Sequence, residues 1–285
     1  ERCGFFYNNP AQRRVERPAA PTDGERPSRA DAPGTRPHWF ACACCPPNVM
    51  RLLASLEHYV ALSGPAELRL HQYVSGTYAA ELAAGQVAVE VATAYPWRSE
   101  VQIIVTETVA EDWTLTVRVP HWAVDATCAV NGEPVDVPAA DGWWQVTRGF
   151  RVGDRLTLTV PVVPRLTVAD PRVDAARGCL AIERGPLVYC VESADHSGRR
   201  LDDLVLDVDG FASGTDGAAP GLPEQIVAVR VPGSVRRHDA SSWWPYAEVG
   251  STDTGGTEPL ELTAIPYFAW GNRGSGAMRV WIPTA

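Results

Sequence analysis

Lysine is absent from the sequence, and all 25 of its positively charged side chains are arginines. They are outnumbered by 34 acidic residues, and the formal net charge of −9 repels polyanions, so we expect no nucleic-acid partner. No uninterrupted apolar stretch approaches the roughly 18 residues that a membrane helix needs, so we expect no membrane partner either. The chain starts at Glu1, without a methionine or a signal-peptide pattern, which favours a piece of a longer chain.

A disulfide framework is not indicated, because the seven cysteines are an odd number and are unevenly distributed. Three of them fall in strand-like segments, and we expect small buried side chains in a reducing compartment. Free thiols favour a cytoplasmic location, although the localisation stays open because we expect the natural start of the chain to be missing. The three scattered cysteines are Cys128, Cys179 and Cys190.

Most of the sequence after residue 65 has the period of β-strands. In four segments apolar residues alternate with polar or small ones, as in strands that are buried on one face. Asn131-Gly132 predicts a tight hairpin, and Gly153-Asp154 predicts another turn. Short strands with turns every 8–12 residues or so are typical of a β-sandwich. The alternating segments are 87–91, 101–105, 115–119 and 156–160.

The same pattern resumes past Pro164 and predicts a second β domain. The stretch 210–221, rich in Gly, Asp and Ala, predicts a connection between two strands. Tryptophan pairs at 143–144 and 243–244 could form a stacking platform for sugars, but burial in the cores is the default expectation. The predicted strands of the second domain include 180–182, 187–189, 227–229, 260–262 and 278–282.

The first 65 residues follow a different pattern. Residues 11–37 are rich in Pro, Arg and Ala and lack apolar periodicity, which predicts a long surface loop. Beyond residue 45, apolar residues recur at the i, i+3, i+4, i+7 spacing of an amphipathic helix that ends before Ser63. These apolar residues are Val49, Leu52, Leu53, Leu56 and Val60.

Cys44 and Cys45 directly precede this predicted helix. Unpaired N–H groups and the positive end of the helix dipole favour an anion there, so we expect a lowered pKa for both thiols. A thiolate in that position can act as a nucleophile or bind a metal. The spacing alone leaves three alternatives open: a zinc site, buried thiols without a ligand, and a redox site. Glu1 and Cys3 offer another carboxylate and thiolate, although Cys3 more simply begins a buried strand.

Two motifs carry a resemblance to a known family. Residues 5–10, FFYNNP, and residues 42–48, CACCPPN, are similar to the FFY-x-NP and C-x-CCPPN patterns of β-L-arabinofuranosidase-type enzymes in glycoside hydrolase family 127. The second motif is highly specific, and the resemblance covers nearly all of the chain. Further matches are YPW at 95–97, RVPHWA at 118–123, VNGEP at 130–134, ERGPLVY at 183–189 and LTAIPYFAW at 262–270.

The resemblance implies a retaining glycosidase in which a zinc-bound cysteine thiolate replaces the usual carboxylate nucleophile, assisted by a glutamic acid as general acid and base. Carried over by motif, Cys44 would be the nucleophile and a zinc ligand, Cys45 a zinc ligand, and Tyr7 a residue lining the sugar pocket. The family's other two ligands come from an upstream Glu-Thr-Cys motif, and its acid/base Glu lies earlier still. Glu1-Arg2-Cys3 directly adjoins the FFY motif, so its spacing is wrong for that role.

We therefore expect a mainly β fold with two β-sandwich domains, preceded by the last loop and helix of an (α/α) barrel catalytic domain that is largely missing. The expected domains are 1–65 (end of the barrel), 66–164 (middle β-sandwich) and 165–285 (C-terminal β-sandwich). The expected partners are a small glycoside or oligosaccharide substrate and, as a candidate, a second copy of the chain in a homodimer.

The leading functional prediction is part of a retaining β-L-arabinofuranosidase-like hydrolase. We expect this piece alone to be inactive, with weak zinc binding or none. A non-catalytic carbohydrate-binding β-sandwich module is the alternative, and a structural or redox thiol site is a third possibility.

Overall fold

The computed structural model describes residues 9–14, 45–135, 141–237, 256–274 and 276–284. The chain divides into a middle unit, Ala43–Val163, and a C-terminal unit made of Glu1–Cys42 and Pro164–Ala285. Strands are the predominant secondary structure in both units, which confirms the predicted mainly β fold. The division at 1–65, 66–164 and 165–285 stays a prediction.

Two short helices stand where one amphipathic helix is predicted: α1 (Cys45–Ala54) and α2 (Glu57–Val60). The interruption has a local cause, because the hydroxyl of Ser55 donates to the carbonyls of Arg51 at 3.0 Å and Leu52 at 3.3 Å. Such side-chain bonds occupy acceptors that a continuing helix would use. None of the helices in the described residues has the length and apolar character needed to cross a membrane.

The middle unit consists of two sheets around one core. Its strands are β2 (Ala61–Gly64), β3 (Glu67–Leu70), β4 (Gly76–Leu82), β5 (Gly85–Thr93), β6 (Glu100–Glu107), β7 (Trp113–Arg118), β8 (Thr127–Val130), β9 (Glu133–Pro134), β10 (Trp143–Arg148) and β11 (Arg155–Thr159). One sheet has the order β10–β7–β3–β2 and the other β4–β5–β6–β11–β8–β9. Leu68 and Leu115 of the first sheet belong to the same buried cluster as Ile103 and Leu158 of the second.

The period-2 segments lie in the strands that they predict, β5, β6, β7 and β11. Asn131 and Gly132 connect β8 to β9 with φ values of 54° and 86°. Two consecutive left-handed residues are what a type I′ hairpin turn requires, and the Asn-Gly pair adopts them at low cost. The hairpin prediction is therefore confirmed.

In the C-terminal unit, ten strands form one hydrogen-bonded network. They are β1 (Gln12–Arg13), β12 (Pro164–Val168), β13 (Cys179–Arg184), β14 (Leu187–Glu192), β15 (Leu204–Leu206), β16 (Thr215–Ala218), β17 (Val227–Arg236), β18 (Thr257–Pro266), β19 (Met278–Arg279) and β20 (Ile282–Pro283). The main path is β1–β19–β14–β18–β17–β15, while β13 joins β14 to β12 and β20. Ile182, Tyr189, Leu204 and Leu262 are fully buried in its core.

Two details of the second domain differ from the sequence prediction. The connection predicted at 210–221 contains strand β16, which pairs with β17. A Cβ on Gly217 would lie 2.2 Å from Nη1 of Arg230 on β17, so a larger residue there would displace that guanidinium. The strand predicted at 278–282 is divided, since β19 pairs with β1 and β14 whereas β20 pairs with β13.

Candidate active site

Helix α1 begins at Cys45, the second cysteine of the predicted catalytic pair. Pro46 and Pro47 fall in its first turn, where the missing N–H of proline costs no helical hydrogen bond. No acidic residue lies in that turn, so no carboxylate there competes with an anion for the positive end of the dipole. Cys44 and Tyr7 lie outside the described residues, and their roles stay predictions.

The apolar side of α1 and α2 is exposed. Val60 is 5% exposed, but Leu53 on α1 is 64% exposed. An amphipathic helix normally buries its apolar stripe against a neighbouring element. The apolar stripe of α1 and α2 is not covered by any of the described residues. The exposed apolar residues of the two helices and their junction are Val49, Met50, Leu52, Leu53, Leu56 and Tyr59.

The chain that follows the FFYNNP motif is attached to the C-terminal unit. The hydroxyl of Tyr267 donates to the carbonyl of Pro10 at 2.8 Å, and the amide of Val280 donates to the carbonyl of Ala11 at 2.9 Å. Strand β1 continues this contact by pairing with β19. Tyr267 belongs to the LTAIPYFAW motif, so two of the family motifs contact each other although 257 positions separate the bonded residues.

The ERGPLVY motif forms the turn between β13 and β14. Arg165 donates to the carbonyl of Gly185 at 2.6 Å and forms an ion pair with Glu183. Arg184, whose side chain is 7% exposed, pairs with Asp216 on β16 at 2.7 Å. These contacts fix the turn and the edge strand, so the motif has a structural role in this unit.

Motifs of the middle unit also contribute to its packing. The hydroxyl of Tyr73 donates to the carbonyl of Arg118, the first residue of the RVPHWA motif. The rings of Tyr73 and Tyr95, from the YPW motif, meet edge to face with centroids 5.7 Å apart. Burial is the main cause that raises the pKa of Tyr73, and the nearby Tyr95 raises that pKa further. Tyr73 therefore stays neutral, and its hydroxyl binds the strand end at Arg118.

The tryptophan pair at 143–144 serves the protein's own packing. Trp144 is 7% exposed and belongs to the core. Trp143 meets the ring of His71 at 4.7 Å and lies 5.0 Å from the guanidinium carbon of Arg69. The ring of Trp143 therefore packs against side chains of the protein itself. The tryptophan pair at 243–244 lies outside the described residues.

The scattered cysteines behave largely as expected. Cys128 and Cys190 are free and buried, whereas Cys179 is half-buried and accepts a 3.9 Å contact from Nη2 of Arg279. Burial raises the pKa of Cys128 to about 11 and that of Cys190 well above its ordinary value. Neither thiol ionises near neutral pH, so neither is a candidate nucleophile. Among the described residues there is also no group of three or more His, Cys, Asp or Glu that could hold a metal.

A buried charge cluster in the C-terminal unit was not predicted from the sequence. Arg273 donates to both Glu192 and Asp195 at 2.5 Å, and the amide of Gly271 donates to Glu192 at 2.7 Å. Burial alone would lower the pKa of Arg273, but the hydrogen bonds to Asp195 and Glu192 outweigh it and raise that pKa. Both carboxylates contact the same guanidinium, which indicates a structural role. No local sequence motif predicts the cluster, because Arg273 lies 81 positions from Glu192.

Family models match both units. The model described as the β-L-arabinofuranosidase GH127 middle domain matches residues 67–162, and the one described as the glycoside hydrolase family 127 C-terminal domain matches residues 164–283. The first match ends at residue 162 and the second begins at residue 164, which agrees with the division of the chain between Val163 and Pro164.

Individual relatives agree with the family models. The chain is 32% identical to a non-reducing end β-L-arabinofuranosidase of Bifidobacterium longum subsp. longum, over 97% of this chain and 41% of the relative. It is similar to the crystal structure of a GH127 β-L-arabinofuranosidase from Geobacillus stearothermophilus T6, with a TM-score of 0.84, 33% identity, and coverage of 99% of this chain and 43% of that one. A GH127 β-arabinofuranosidase structure has a TM-score of 0.80 at 27% identity, with coverage of 99% and 42%.

The chain thus spans about two fifths of the length of the relatives that it matches. Its two units correspond to the middle and C-terminal domains of one family, and its motifs at 5–10 and 42–48 resemble patterns of the same family. On these grounds, the chain belongs to glycoside hydrolase family 127.

Proposed function

We propose that this chain is part of a retaining glycoside hydrolase of the β-L-arabinofuranosidase type, with the thiolate of Cys44 as its nucleophile. The observation that carries the proposal is the CACCPPN motif, whose second half begins helix α1 at Cys45. Membership of family 127 supports the reaction class. The helix N-terminus, with no acid in its first turn, favours a thiolate beside it.

The donor chemistry of the cysteine pair fits zinc. Cys44 and Cys45 offer two thiolates, and zinc in proteins is usually held by four ligands, many of them thiolates. The two residues would supply half of such a site. Bound there, zinc would keep the thiol of Cys44 ionised near neutral pH.

In the proposed reaction, Sγ of Cys44 attacks the anomeric carbon of the sugar as the bond to the leaving oxygen breaks. A carboxylic acid outside this sequence donates a proton to the leaving oxygen. The same group, now a carboxylate, removes a proton from the water that displaces sulfur from the anomeric carbon. Each displacement inverts that carbon, so the two together retain its configuration. Tyr7 would line the sugar pocket.

The exposed apolar side of α1 and α2 supports a catalytic domain that extends beyond this sequence. Leu53 and its exposed neighbours form the stripe that an (α/α) barrel helix would bury against other barrel helices. We propose that the missing part of the barrel covers this stripe and supplies the acid/base Glu and the remaining two zinc ligands.

The test compares two proteins on p-nitrophenyl β-L-arabinofuranoside: the 285-residue chain and the longest protein encoded by the same reading frame. Loss of a general acid typically slows such reactions by about 10²–10⁴-fold, so only the longer protein should turn over the substrate appreciably. Clear turnover by the 285-residue chain would contradict the proposed division of the site. Sugar binding without hydrolysis by the longer protein would instead favour the carbohydrate-binding module.

A further inference from the structure

The C-terminal unit contains a cavity of about 390 Å³ with an unusual concentration of positive charge. Its volume falls in the range of small-molecule sites, roughly 300–1,000 Å³. Five arginines and a single acid line it, in a chain whose net charge is −9. These charged residues are Arg13, Arg14, Arg199, Arg200, Arg279 and Asp202.

Some of these charged side chains are bound to other groups of the protein. Oδ1 of Asp202 accepts hydrogen bonds from Nε2 of Gln12 at 2.8 Å and from Nη1 of Arg279 at 2.9 Å. Arg279 also donates to the carbonyl of Trp281 at 2.5 Å, and Arg199 donates to Glu258 at 2.9 Å. Asp202, Arg199 and Arg279 are therefore held in place by the protein itself.

Arg14 and Arg200 are different. Arg14 forms a long ion pair with Asp202, at 3.5 Å from Nε, and Arg200 forms a long ion pair with Asp203, at 3.9 Å from Nε. Neither guanidinium donates a hydrogen bond to any residue that the structure describes, and the side chains are 70% and 77% exposed. Two planar guanidinium groups, held by long ion pairs and not by hydrogen bonds to described residues, thus line the same cavity.

We propose that this cavity binds a small organic anion of about monosaccharide to disaccharide size, whose carboxylate or phosphate group is held by Arg14 and Arg200. A guanidinium group donates two parallel hydrogen bonds that match the oxygens of either anion. Five arginines against the carboxylates of Asp202, Asp203 and Glu258 leave the local charge positive, which favours entry of an anion. Leu201 and Met278 offer an apolar wall for the rest of the molecule. The proposal is independent of the glycosidase function.

The test is calorimetric titration of the 285-residue chain at low ionic strength with four probes: D-galacturonate, D-glucose 6-phosphate, inorganic phosphate and neutral L-arabinose. At least one of the two sugar anions should bind with one-site stoichiometry and a Kd of about 1 mM or tighter. Inorganic phosphate should bind more weakly, because it cannot contact the apolar wall, and L-arabinose should not bind here. The tighter sugar anion identifies the preferred charged group.

The variant Arg14→Gln/Arg200→Gln should lose roughly tenfold or more in affinity for the sugar anion, because it removes the charge-assisted contacts. The matched control is Arg172→Gln/Arg177→Gln, which removes two exposed charges from the same unit and should bind as the parent does. Absence of binding by both sugar anions would overturn the proposal. So would an equal loss in the control, which would indicate general charge attraction, or equally tight binding of inorganic phosphate.

Discussion

Replacing Arg273 with methionine should strongly destabilise the C-terminal unit. The guanidinium forms ion pairs with two carboxylates, those of Glu192 and Asp195, and all three side chains are at most 9% exposed. Methionine fills similar space without charge. It would leave Glu192 and Asp195 as neighbouring buried anions, which both desolvation and mutual repulsion disfavour.

The expected magnitude follows from this burial. Removing one partner of a buried ion pair typically costs about 3–5 kcal/mol, whereas an exposed pair contributes about 0–1 kcal/mol. The exposed pair of Arg172 and Asp170 provides the control, because its side chains are 90% and 46% exposed. Arg172→Gln should therefore leave the free energy of unfolding nearly unchanged. Arg273→Lys should give an intermediate loss, since an ammonium keeps the charge but cannot reproduce the two-carboxylate fork.

The assay is urea-dependent hydrogen exchange read by mass spectrometry on peptides of β14 and β18, which reports on the C-terminal unit alone. In the Arg273→Met variant, these peptides should lose protection at a much lower urea concentration. Adding Glu192→Gln and Asp195→Asn should recover part of the loss, because the unpaired charges are then gone. A cost for Arg273→Met no larger than that of Arg172→Gln would refute the reasoning.

Two further predictions concern stability. Burial lowers the pKa of His196 below its ordinary 6.5. Its Nε2 accepts a hydrogen bond from the amide of Thr263, which protonation of that nitrogen would break. The unfolded chain then binds more protons than the folded chain, so the free energy of unfolding should fall as pH drops below about 6.5. Urea midpoints measured from pH 7.5 to 5.5 should show this fall, and the variant His196→Gln should show a smaller one. Leu70→Ala, at a fully buried site, should cost about 2–5 kcal/mol, whereas Leu53→Ala on exposed α1 should cost well under 1 kcal/mol. Equal urea-midpoint losses for the two leucines would contradict the exposure of α1.

Local signals in the sequence were sufficient for much of the fold. Alternation of apolar residues located β5, β6, β7 and β11, because each strand buries one face. Asn131-Gly132 located a hairpin, because few other pairs adopt two positive φ values easily. Pro46 and Pro47 located the start of α1 for a similar local reason.

Features that depend on distant residues could not be predicted in this way. The sequence predicts a connection in place of strand β16, because the residues of that strand are polar and small and its pairing depends on β17. The buried cluster brings Arg273 to Glu192 from 81 positions away, and neither residue has a local pattern that distinguishes it from a surface charge. For the active site, the sequence located Cys45 at a helix start, while the roles of Cys44 and Tyr7 came from motif resemblance and stay predictions.

The most direct test of the central claim is to find which thiol faces the anomeric carbon. The longer protein from the same reading frame is treated with an arabinofuranosyl analogue that carries an iodoacetamide-type group, and the modified peptide is sequenced by mass spectrometry. The account predicts a label on Cys44, since only the nucleophile must reach the reacting carbon. Cys45 is the internal control because it is the adjacent thiol and lies at the same helix start. A label on Cys45 in place of Cys44 would contradict the assignment of the nucleophile.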